Sequence, residues 1–486
     1  MDSFQLQERE AAVQQIENNE NRQPEDVLGT ASGDDQTKGF DWSRRNLLGA
    51  GMVTALGAST EGFAAPGQPL SSAQSKDGMI HINKTYRALV RRGLEGPAKI
   101  EKVKLLPFGG RQVLVRNTAE HGCYTDVRKV LGPTVEGSQV SRGWPAICGH
   151  EGLGVVEAIG PEVKGVKPGD KVFISTTPQC GWCYNCVRGR ADACMANSSS
   201  MEPVAEAMDG VRLRQEGGIG GIAEYTVSYE ERLTPYFSNL PDEEIALLTC
   251  VGSTGLGMTC TLHPIESGSS VVVFGAGPIG LSAVQGARIQ GATKIISVEP
   301  IAARRQLALK LGATMAVDPN QYEGDQLVNL LRDLTKGPTD RIFVGGQNWA
   351  RGDGGPDYVI EAVGCTRLQP KVEVSKDPTG LEAVQQVWNL VPRTGWGMTC
   401  GWGYPADAEV KFPANTFTNG SKTLCSCQNG GIQSRRDLPR FIRLIEDGKY
   451  DAKSMITNVY KFDDVMKCYQ EIADRTVIAN VIKFDA

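Results

Sequence analysis

Residues 270–300, SVVVFGAGPIGLSAVQGARIQGATKIISVEP, constrain the fold more than any other stretch of the chain. Residues 271–274 are continuously apolar, as a strand buried on both faces requires. The turn GAGPIG follows, then an amphipathic helix, then a second apolar strand at 294–298 that ends at Glu299. This order predicts a dinucleotide-binding βαβ unit. The alternative is a flavodoxin-like βαβ unit that binds no nucleotide.

Each glycine of the turn has a physical task in that prediction. Gly275 permits the tight turn, Gly277 lets a pyrophosphate approach the backbone, and Gly280 lets the helix pack closely on the strand. The free N–H groups and positive dipole end of the helix then face the phosphates. Glu299 is placed to accept hydrogen bonds from the ribose hydroxyls and to repel a 2′-phosphate, which favours NAD over NADP. Arg304 and Arg305 follow closely and could accommodate a phosphate.

The remaining periodicity divides the chain into two structural types. Residues 354–364 and 393–403 predict two further buried strands, and the glycine-rich residues 340–355 predict an inserted surface loop. Ahead of the nucleotide unit, segments such as 152–175 are short, rich in β-formers and separated by glycine turns. They predict a small, irregular barrel, so the fold class is α/β with a second, β-rich domain.

Four cysteines lie within fifteen residues, CGWCYNCVRGRADAC at 180–194. Two CxxC steps and a longer return suit a tetrahedral thiolate site for zinc. Disulfides are the rival interpretation, because the N-terminal region resembles an export signal and exported proteins often oxidise their cysteines. The spacing alone leaves both readings open.

That N-terminal region is polar and acidic, with ten Asp or Glu against three Lys or Arg in residues 1–43. Arg44 and Arg45 then precede a short Gly/Ala-rich apolar run, which resembles a twin-arginine signal with a cleavage site near residues 62–64. A disordered tail with a chance arginine pair is the alternative. Twin-arginine export carries folded proteins with cofactors in place, so export and a zinc site are compatible. The net charge of −5 argues against a nucleic-acid-binding surface.

Six motifs occur in one order along the chain: HGCYTD, CGHEGLGVVEAIG, TPQCGWCYNC, GGIAEY, CVGSTG and GAGPIG. Together they resemble the zinc-containing medium-chain alcohol dehydrogenase family over roughly residues 95–486. The resemblance implies a GroES-like β-barrel catalytic domain and a doubly wound Rossmann domain. We therefore expect a leader at 1–78, a catalytic domain at 79–253 completed by 432–486, and an NAD-binding domain at 254–431.

The resemblance also implies the metal ligands. A catalytic zinc would be held by Cys123, His150 and Cys250, with Glu151 as an alternating or outer ligand. A structural zinc would be held by the four clustered cysteines, which are Cys180, Cys183, Cys186 and Cys194. Three protein ligands leave one position for the alcohol oxygen, whose pKa the metal lowers.

Two positions depart from the family pattern. Thr125 matches the hydroxyl that binds the alcohol and begins a proton relay, but the relay histidine of familiar members is replaced by Arg128, which cannot act as a base. Solvent or His121 could take its place. Tyr124 stands where a basic phosphate contact often occurs. The implied cofactor contacts are Gly275, Gly277, Ile279, Gly280, Glu299, Arg304, Thr254 and Arg475.

The sequence therefore predicts a dehydrogenase that uses two zinc ions and NAD to oxidise a small alcohol or reduce an aldehyde or ketone. A zinc-free quinone or enoyl reductase and a non-catalytic, zinc-stabilised binding protein are the alternatives. We expect a homodimer or homotetramer in the bacterial periplasm after twin-arginine export, or otherwise in the cytoplasm. Because free NAD is scarce outside the cytoplasm, an exported enzyme is predicted to keep NAD tightly bound and to pass electrons onward or disproportionate its substrate.

Overall fold

The computed structural model describes residues 73–74, 78–133, 145–198, 202–337, 354–372, 374–401, 404 and 407–485. The arginine pair of the leader and most of the predicted loop at 340–355 lie outside these residues. Strand Ala73–Gln74, which lies inside the segment assigned to the leader, pairs with Met79–His81.

Twenty-one strands occur within the described residues. In chain order they are β1 Ala73–Gln74, β2 Met79–His81, β3 Thr85–Arg91, β4 Lys99–Leu105, β5 Phe108–Gly109, β6 Gln112–His121, β7 Ala146–Ile147, β8 Gly152–Ile159, β9 Lys171–Ile174, β10 Ala205–Ala207, β11 Arg212–Gln215, β12 Tyr225–Tyr229, β13 Leu233–Pro235, β14 Ser270–Phe274, β15 Lys294–Val298, β16 Met315–Val317, β17 Tyr358–Glu361, β18 Trp396–Thr399, β19 Thr423–Ser426, β20 Ile456–Lys461 and β21 Ala479–Lys483.

Eleven α-helices accompany them in the same described residues. They are α1 Val127–Leu131, α2 Tyr184–Val187, α3 Asp242–Ala246, α4 Val251–Gly257, α5 Pro278–Ile289, α6 Ala302–Leu311, α7 Gln326–Thr335, α8 Leu381–Leu390, α9 Ala414–Asn419, α10 Ser434–Glu446 and α11 Val465–Asp474. No single helix in the described chain has the length and apolarity to cross a bilayer, although the bent pair Asp242–Thr249 and Val251–Leu262 meets those criteria jointly.

The nucleotide half is a six-stranded parallel sheet in the order β16-β15-β14-β17-β18-β19. Strand β14, the first of this sheet along the chain, is buried at every position, as its continuous apolar sequence predicts. Strand order reverses beside β14, and such a reversal opens a crevice at the carboxyl ends of the strands. The Rossmann arrangement expected from the sequence is thereby confirmed.

The catalytic half contains a closed barrel, β10-β11-β7-β3-β4, and a seven-stranded sheet in which β6 pairs with β8, β12 and β21. The C-terminal strands β20 and β21 join this sheet, so the end of the chain returns to the first half. One apolar core spans both halves, since it includes Leu153 and Phe173 as well as Val271 and Ile360. The two halves therefore share one core around the crevice.

Candidate active site and cofactor cavity

The first cluster joins three separate turns of the catalytic half. Cys123 follows β6, His150 and Glu151 precede β8, and Cys250 precedes α4. The ligand atoms of these four residues all lie within 4.8 Å of one another. The structure thus brings together the whole set that the sequence predicted for the catalytic metal.

A buried carboxylate orients the imidazole of the cluster. Oδ2 of Asp126 lies 2.8 Å from Nδ1 of His150, and Oδ1 lies 2.9 Å from Nζ of Lys129. A proton on Nδ1 leaves the lone pair of Nε2 directed into the cluster, where Nε2 lies 3.8 Å from Sγ of Cys250. Burial alone raises the pKa of Asp126, but His150 and Lys129 outweigh it and hold the pKa below its usual range.

One of the two sulfur ligands, Cys123, is disposed to ionise, whereas the hydrogen bond to Cys123, followed by burial, raises the pKa of Cys250 well above its usual range. A hydrogen bond from Cys250, together with His150, outweighs burial and holds the pKa of Cys123 well below its usual range. A thiolate is the form of cysteine that binds metal. Burial makes Cys123 and His150 poorly accessible to bulk water, whereas Cys250 is half-buried.

Glu151 is a buried carboxylate in which one of the two oxygens accepts a hydrogen bond. Oε2 accepts a hydrogen bond from the hydroxyl of Thr249, while Oε1 has no hydrogen-bond partner among the described residues. That oxygen lies 3.6 Å from Nδ1 of His121 and 3.8 Å from Nε2 of His150. Burial raises the pKa of Glu151. An orphaned oxygen turned toward the cluster suits the predicted alternating or outer ligand.

The second cluster is the cysteine lobe, residues 180–194. Its four sulfurs lie within 4.8 Å of one another, with Cys180 and Cys186 at 3.9 Å and Cys183 and Cys194 at 3.9 Å. A disulfide needs a separation of about 2.05 Å, and all thirteen cysteines are free thiols in this structure. Backbone N–H groups of Met195 and Cys186 lower the pKa of Cys183 to about 6. The arrangement matches the thiolate cage rather than the disulfide alternative.

The glycine turn has the geometry that a dinucleotide requires. Gly275 adopts φ +91°, which favours glycine, and α5 begins directly after Gly277. A Cβ on Gly280 would lie 1.9 Å from the carbonyl oxygen of Gly275, so only glycine permits this close packing. Gly277 and Ile279, at the start of α5, line the cavity, and a helix N-terminus in that position favours a phosphate.

Glu299 follows β15 and is buried beside this turn. Its carboxylate accepts hydrogen bonds from the backbone N–H groups of Ala276 at 2.7 Å and Ile301 at 2.9 Å. Arg304 donates to the carbonyl of Val477, and Arg305 donates to that of Pro300. Arg305 also pairs with Asp318 at 3.2 Å. Both arginines that could have accommodated a phosphate are therefore bound to acceptors of the protein.

One cavity joins the two halves. The predicted residues that line it are Cys123, Thr125, Gly275, Gly277, Ile279, Glu299, Arg304 and Arg475. Thr254 is not among the lining residues: its hydroxyl lies 2.7 Å from the carbonyl oxygen of Cys250 and 2.9 Å from Oδ1 of Asn429. Gly280 packs beneath the turn. Val251, three residues before Thr254, lines the cavity instead.

Several functional neighbours were missed by the sequence argument. Asp126 closes the quoted motif HGCYTD, so its position three residues after Cys123 was a usable signal. Glu120 is fully buried, and that burial, with the charge of Glu151, raises its pKa well above the usual range. Arg367 bonds the catalytic half from more than 230 residues away in sequence, and no local pattern announces that contact.

Comparison with known proteins agrees with this geometry. Two protein-family models match the chain: the alcohol dehydrogenase GroES-like domain at residues 109–242 and the zinc-binding dehydrogenase at residues 278–447. Geraniol dehydrogenase of Castellaniella defragrans is 31% identical over 409 residues, 82% of this chain and 97% of that protein. Class-3 alcohol dehydrogenase of Cereibacter sphaeroides is 29% identical over 407 residues, 82% of this chain and 99% of that protein.

Solved structures give the same result. An alcohol dehydrogenase zinc-binding domain protein from Burkholderia ambifaria superposes with a TM-score of 0.70 at 25% identity, covering 83% of this chain and 100% of that one. Fold and site define a two-domain, zinc-type oxidoreductase. The chain belongs to the zinc-dependent medium-chain alcohol dehydrogenase family, and it is an alcohol dehydrogenase.

Proposed function

We propose that the protein transfers a hydride between an alcohol and NAD, with one catalytic and one structural zinc ion per chain. The observation that carries this proposal is the cavity, since its lining includes both Cys123 and the glycine turn. One predicted metal ligand and the predicted dinucleotide turn therefore share the lining of one cavity, which supports a metal and a dinucleotide acting together. When bound, zinc supplies Lewis acidity to the alcohol oxygen, and the nicotinamide accepts the hydride.

The donor set fits zinc. Two thiols and one imidazole nitrogen are the ligand types that zinc prefers, and three such ligands are typical of a catalytic site that keeps one position open. The orientation of His150 by Asp126 at 2.8 Å supplies the fixed tautomer that a ligating imidazole needs. In the lobe, the four sulfurs form a group that includes no further donor from the described residues, which matches a closed structural site.

The chain's own residues position the alcohol. Thr125 follows Cys123 by two residues in the sequence and lines the same cavity, which supports a role for its hydroxyl as acceptor of the substrate O–H. Arg128 cannot take the proton onward, because a guanidinium stays protonated. Its Nε donates instead to the carbonyl oxygen of Arg367 at 2.6 Å. Proton exit therefore follows a route other than the side chain at position 128.

NAD rather than NADP is the proposed cofactor. The carboxylate of Glu299 retains lone pairs beyond the two N–H groups it accepts, and these can bind ribose hydroxyls. Asp318 adds a second carboxylate close by and is paired with Arg305. We expect kcat/KM to favour NAD over NADP by at least about tenfold, and Glu299→Gln to narrow that ratio, as measured by initial rates with each cofactor.

An alcohol panel tests the proposal. It includes geraniol, benzyl alcohol and S-(hydroxymethyl)glutathione, because relatives or similar structures are named for these substrates. NADH formation at 340 nm by the purified, zinc-loaded chain with at least one alcohol is the expected result. A chain that binds two zinc ions but neither binds NADH nor oxidises any alcohol would be a zinc-stabilised binding protein instead.

We also propose that the mature protein is exported by the twin-arginine route and retains NAD. The support is the order of Arg44, Arg45 and the apolar run in the sequence. Protein purified without added cofactor is expected to release NAD or NADH when it is denatured. Nucleotide-free protein from that preparation would contradict retention, and cytoplasmic accumulation of the full-length chain would contradict export.

A further inference from the structure

A short segment of the nucleotide half, residues 365–371, binds the catalytic half through three groups of a single residue. The backbone N–H of Arg367 donates to Oη of Tyr124 at 2.9 Å, and its Nη1 donates to the carbonyl oxygen of Thr125 at 2.8 Å. Nε of Arg128 donates to the carbonyl oxygen of Arg367 at 2.6 Å. Arg367 is only 8% exposed, so these bonds are shielded from water.

A second anchor lies at the other end of the same segment. Lys371 donates from its backbone N–H to the carbonyl oxygen of Asp474 at 3.1 Å, and from Nζ to Oδ2 of Asp474 at 2.7 Å. Next to the first anchor, Nη2 of Arg475 donates to Oγ1 of Thr366 at 3.2 Å. We call residues 365–371 with these six bonds the clasp.

The clasp forms part of the cavity wall. Tyr124, Thr125, Arg367 and Arg475 all line the cavity, and the guanidinium carbon of Arg475 lies 5.1 Å from the ring centroid of Tyr124. Separating the two halves at this wall must break the six bonds. Each such bond contributes roughly twofold to tenfold to an equilibrium between joined and separated forms.

The clasp also accounts for the two departures from the family pattern. The resemblance places a basic phosphate contact at position 124 and a relay histidine at position 128. Here the hydroxyl of Tyr124 and the guanidinium of Arg128 both bind Arg367. The side chains that replace the expected phosphate contact and the expected relay histidine therefore strengthen the contact between the two halves.

We propose that the clasp slows the release of NAD(H) from the cavity, with Arg128 and Lys371 as positioning residues that act through Arg367 and Asp474. This inference rests on the proposed function, because it requires a dinucleotide in the cavity. Neither Arg128 nor Lys371 belongs to the cavity lining. A change in release caused by their substitution is therefore transmitted through the clasp rather than through a lost contact with the cofactor.

The test measures NADH dissociation by stopped-flow fluorescence, with the zinc-loaded enzyme preloaded with NADH and chased with excess ADP-ribose. Arg128→Met is expected to raise the dissociation rate about threefold to tenfold. Lys371→Met, which removes an ion pair of an exposed lysine, is expected to raise it about twofold to fivefold, and the double variant to exceed either. The control is Arg92→Met, which removes an arginine paired with Glu101 and Asp209 away from the cavity. It is expected to stay within about twofold of the wild type.

The outcomes separate this inference from the proposed function. A wild-type chain that binds no NADH contradicts the proposed function and the clasp with it. NADH binding with both variants releasing at the rate of Arg92→Met contradicts the clasp alone. The side chain of Lys371 is 69% exposed, so Lys371→Met is expected to fold even if Arg128→Met does not. Faster release with unchanged zinc content supports the clasp.

Discussion

The two cysteine-containing clusters use the same sulfur chemistry in opposite surroundings. In the cluster of Cys123, His150, Glu151 and Cys250, buried side chains position the ligands: Asp126 orients His150, and Thr249 binds Glu151. In the cysteine lobe, the backbone positions the ligands, because N–H groups donate to the sulfurs of Cys180 and Cys194. The first cluster adjoins the cavity. The cysteine lobe instead carries exposed large hydrophobic side chains, which are Trp182, Tyr184, Val187 and Met195.

This difference shows what distinguishes a predicted catalytic metal site from a predicted structural one. A site of mixed donors beside a cavity keeps a position for substrate, and its tuning depends on carboxylates that the rest of the fold must place. A site of four sulfurs on a single loop closes upon itself and needs little beyond its own turns. Substitutions in the first cluster should therefore reduce turnover, whereas substitutions in the cysteine lobe should reduce local stability.

The largest effect is expected at His150. His150→Ala removes a predicted ligand of the catalytic metal, so alcohol-dependent NADH formation should fall at least about a thousandfold. His81→Ala, which changes an exposed histidine of β2, serves as the control and should leave the rate unchanged. Activity of His150→Ala near the wild-type rate would remove the catalytic role of the first cluster.

An intermediate effect is expected at Asp126. Asp126→Asn removes the charge that faces His150, and loss of such a supporting carboxylate typically costs about tenfold to a hundredfold in activity or metal affinity. Because its folded pKa lies below the usual range, Asp126 is ionised at neutral pH, and the effect should be constant between about pH 6 and 9. Steady-state kinetics across that range makes the measurement, with Asp333→Asn as the control because the side chain of Asp333 is 66% exposed. A loss no larger than the control's would mean that orientation of His150 does not matter.

The smallest effect on turnover is expected in the cysteine lobe. Cys183→Ala should release the structural metal and expose residues 180–194 to protease, while activity per catalytic zinc stays within about tenfold. Limited proteolysis followed by peptide mass analysis locates the cleavage. Val187→Ala, in the same lobe and 67% exposed, should remain resistant. Loss of turnover as complete as in His150→Ala would erase the distinction between the two clusters.

The two clusters also differ in how far the sequence could predict them. The lobe is local: four sulfurs within fifteen residues announce a common site, and the glycine turn between β14 and α5 is equally local. Cys123 and Cys250 are more than a hundred residues apart, so only the ordered motifs of the family brought them together. Local spacing and motif resemblance sufficed for the parallel sheet and for both metal clusters.

Contacts between distant segments had no such signal. The bonds of Arg367 to the catalytic half and the pairing of Arg305 with Asp318 depend on tertiary packing that periodicity cannot encode. The hydrogen bond from the hydroxyl of Thr254 to Asn429, far along the chain, has no local signal either. The sequence thus identified groups able to do the chemistry, and the structure determined which of them face the cavity.

Zinc content per chain, measured by inductively coupled plasma mass spectrometry, tests the central claim most directly. The wild-type protein should hold about two zinc ions and His150→Ala about one, because only the first cluster loses a ligand. Equal zinc contents in the two proteins, at any value, would contradict the assignment of Cys123, His150 and Cys250 to a single metal.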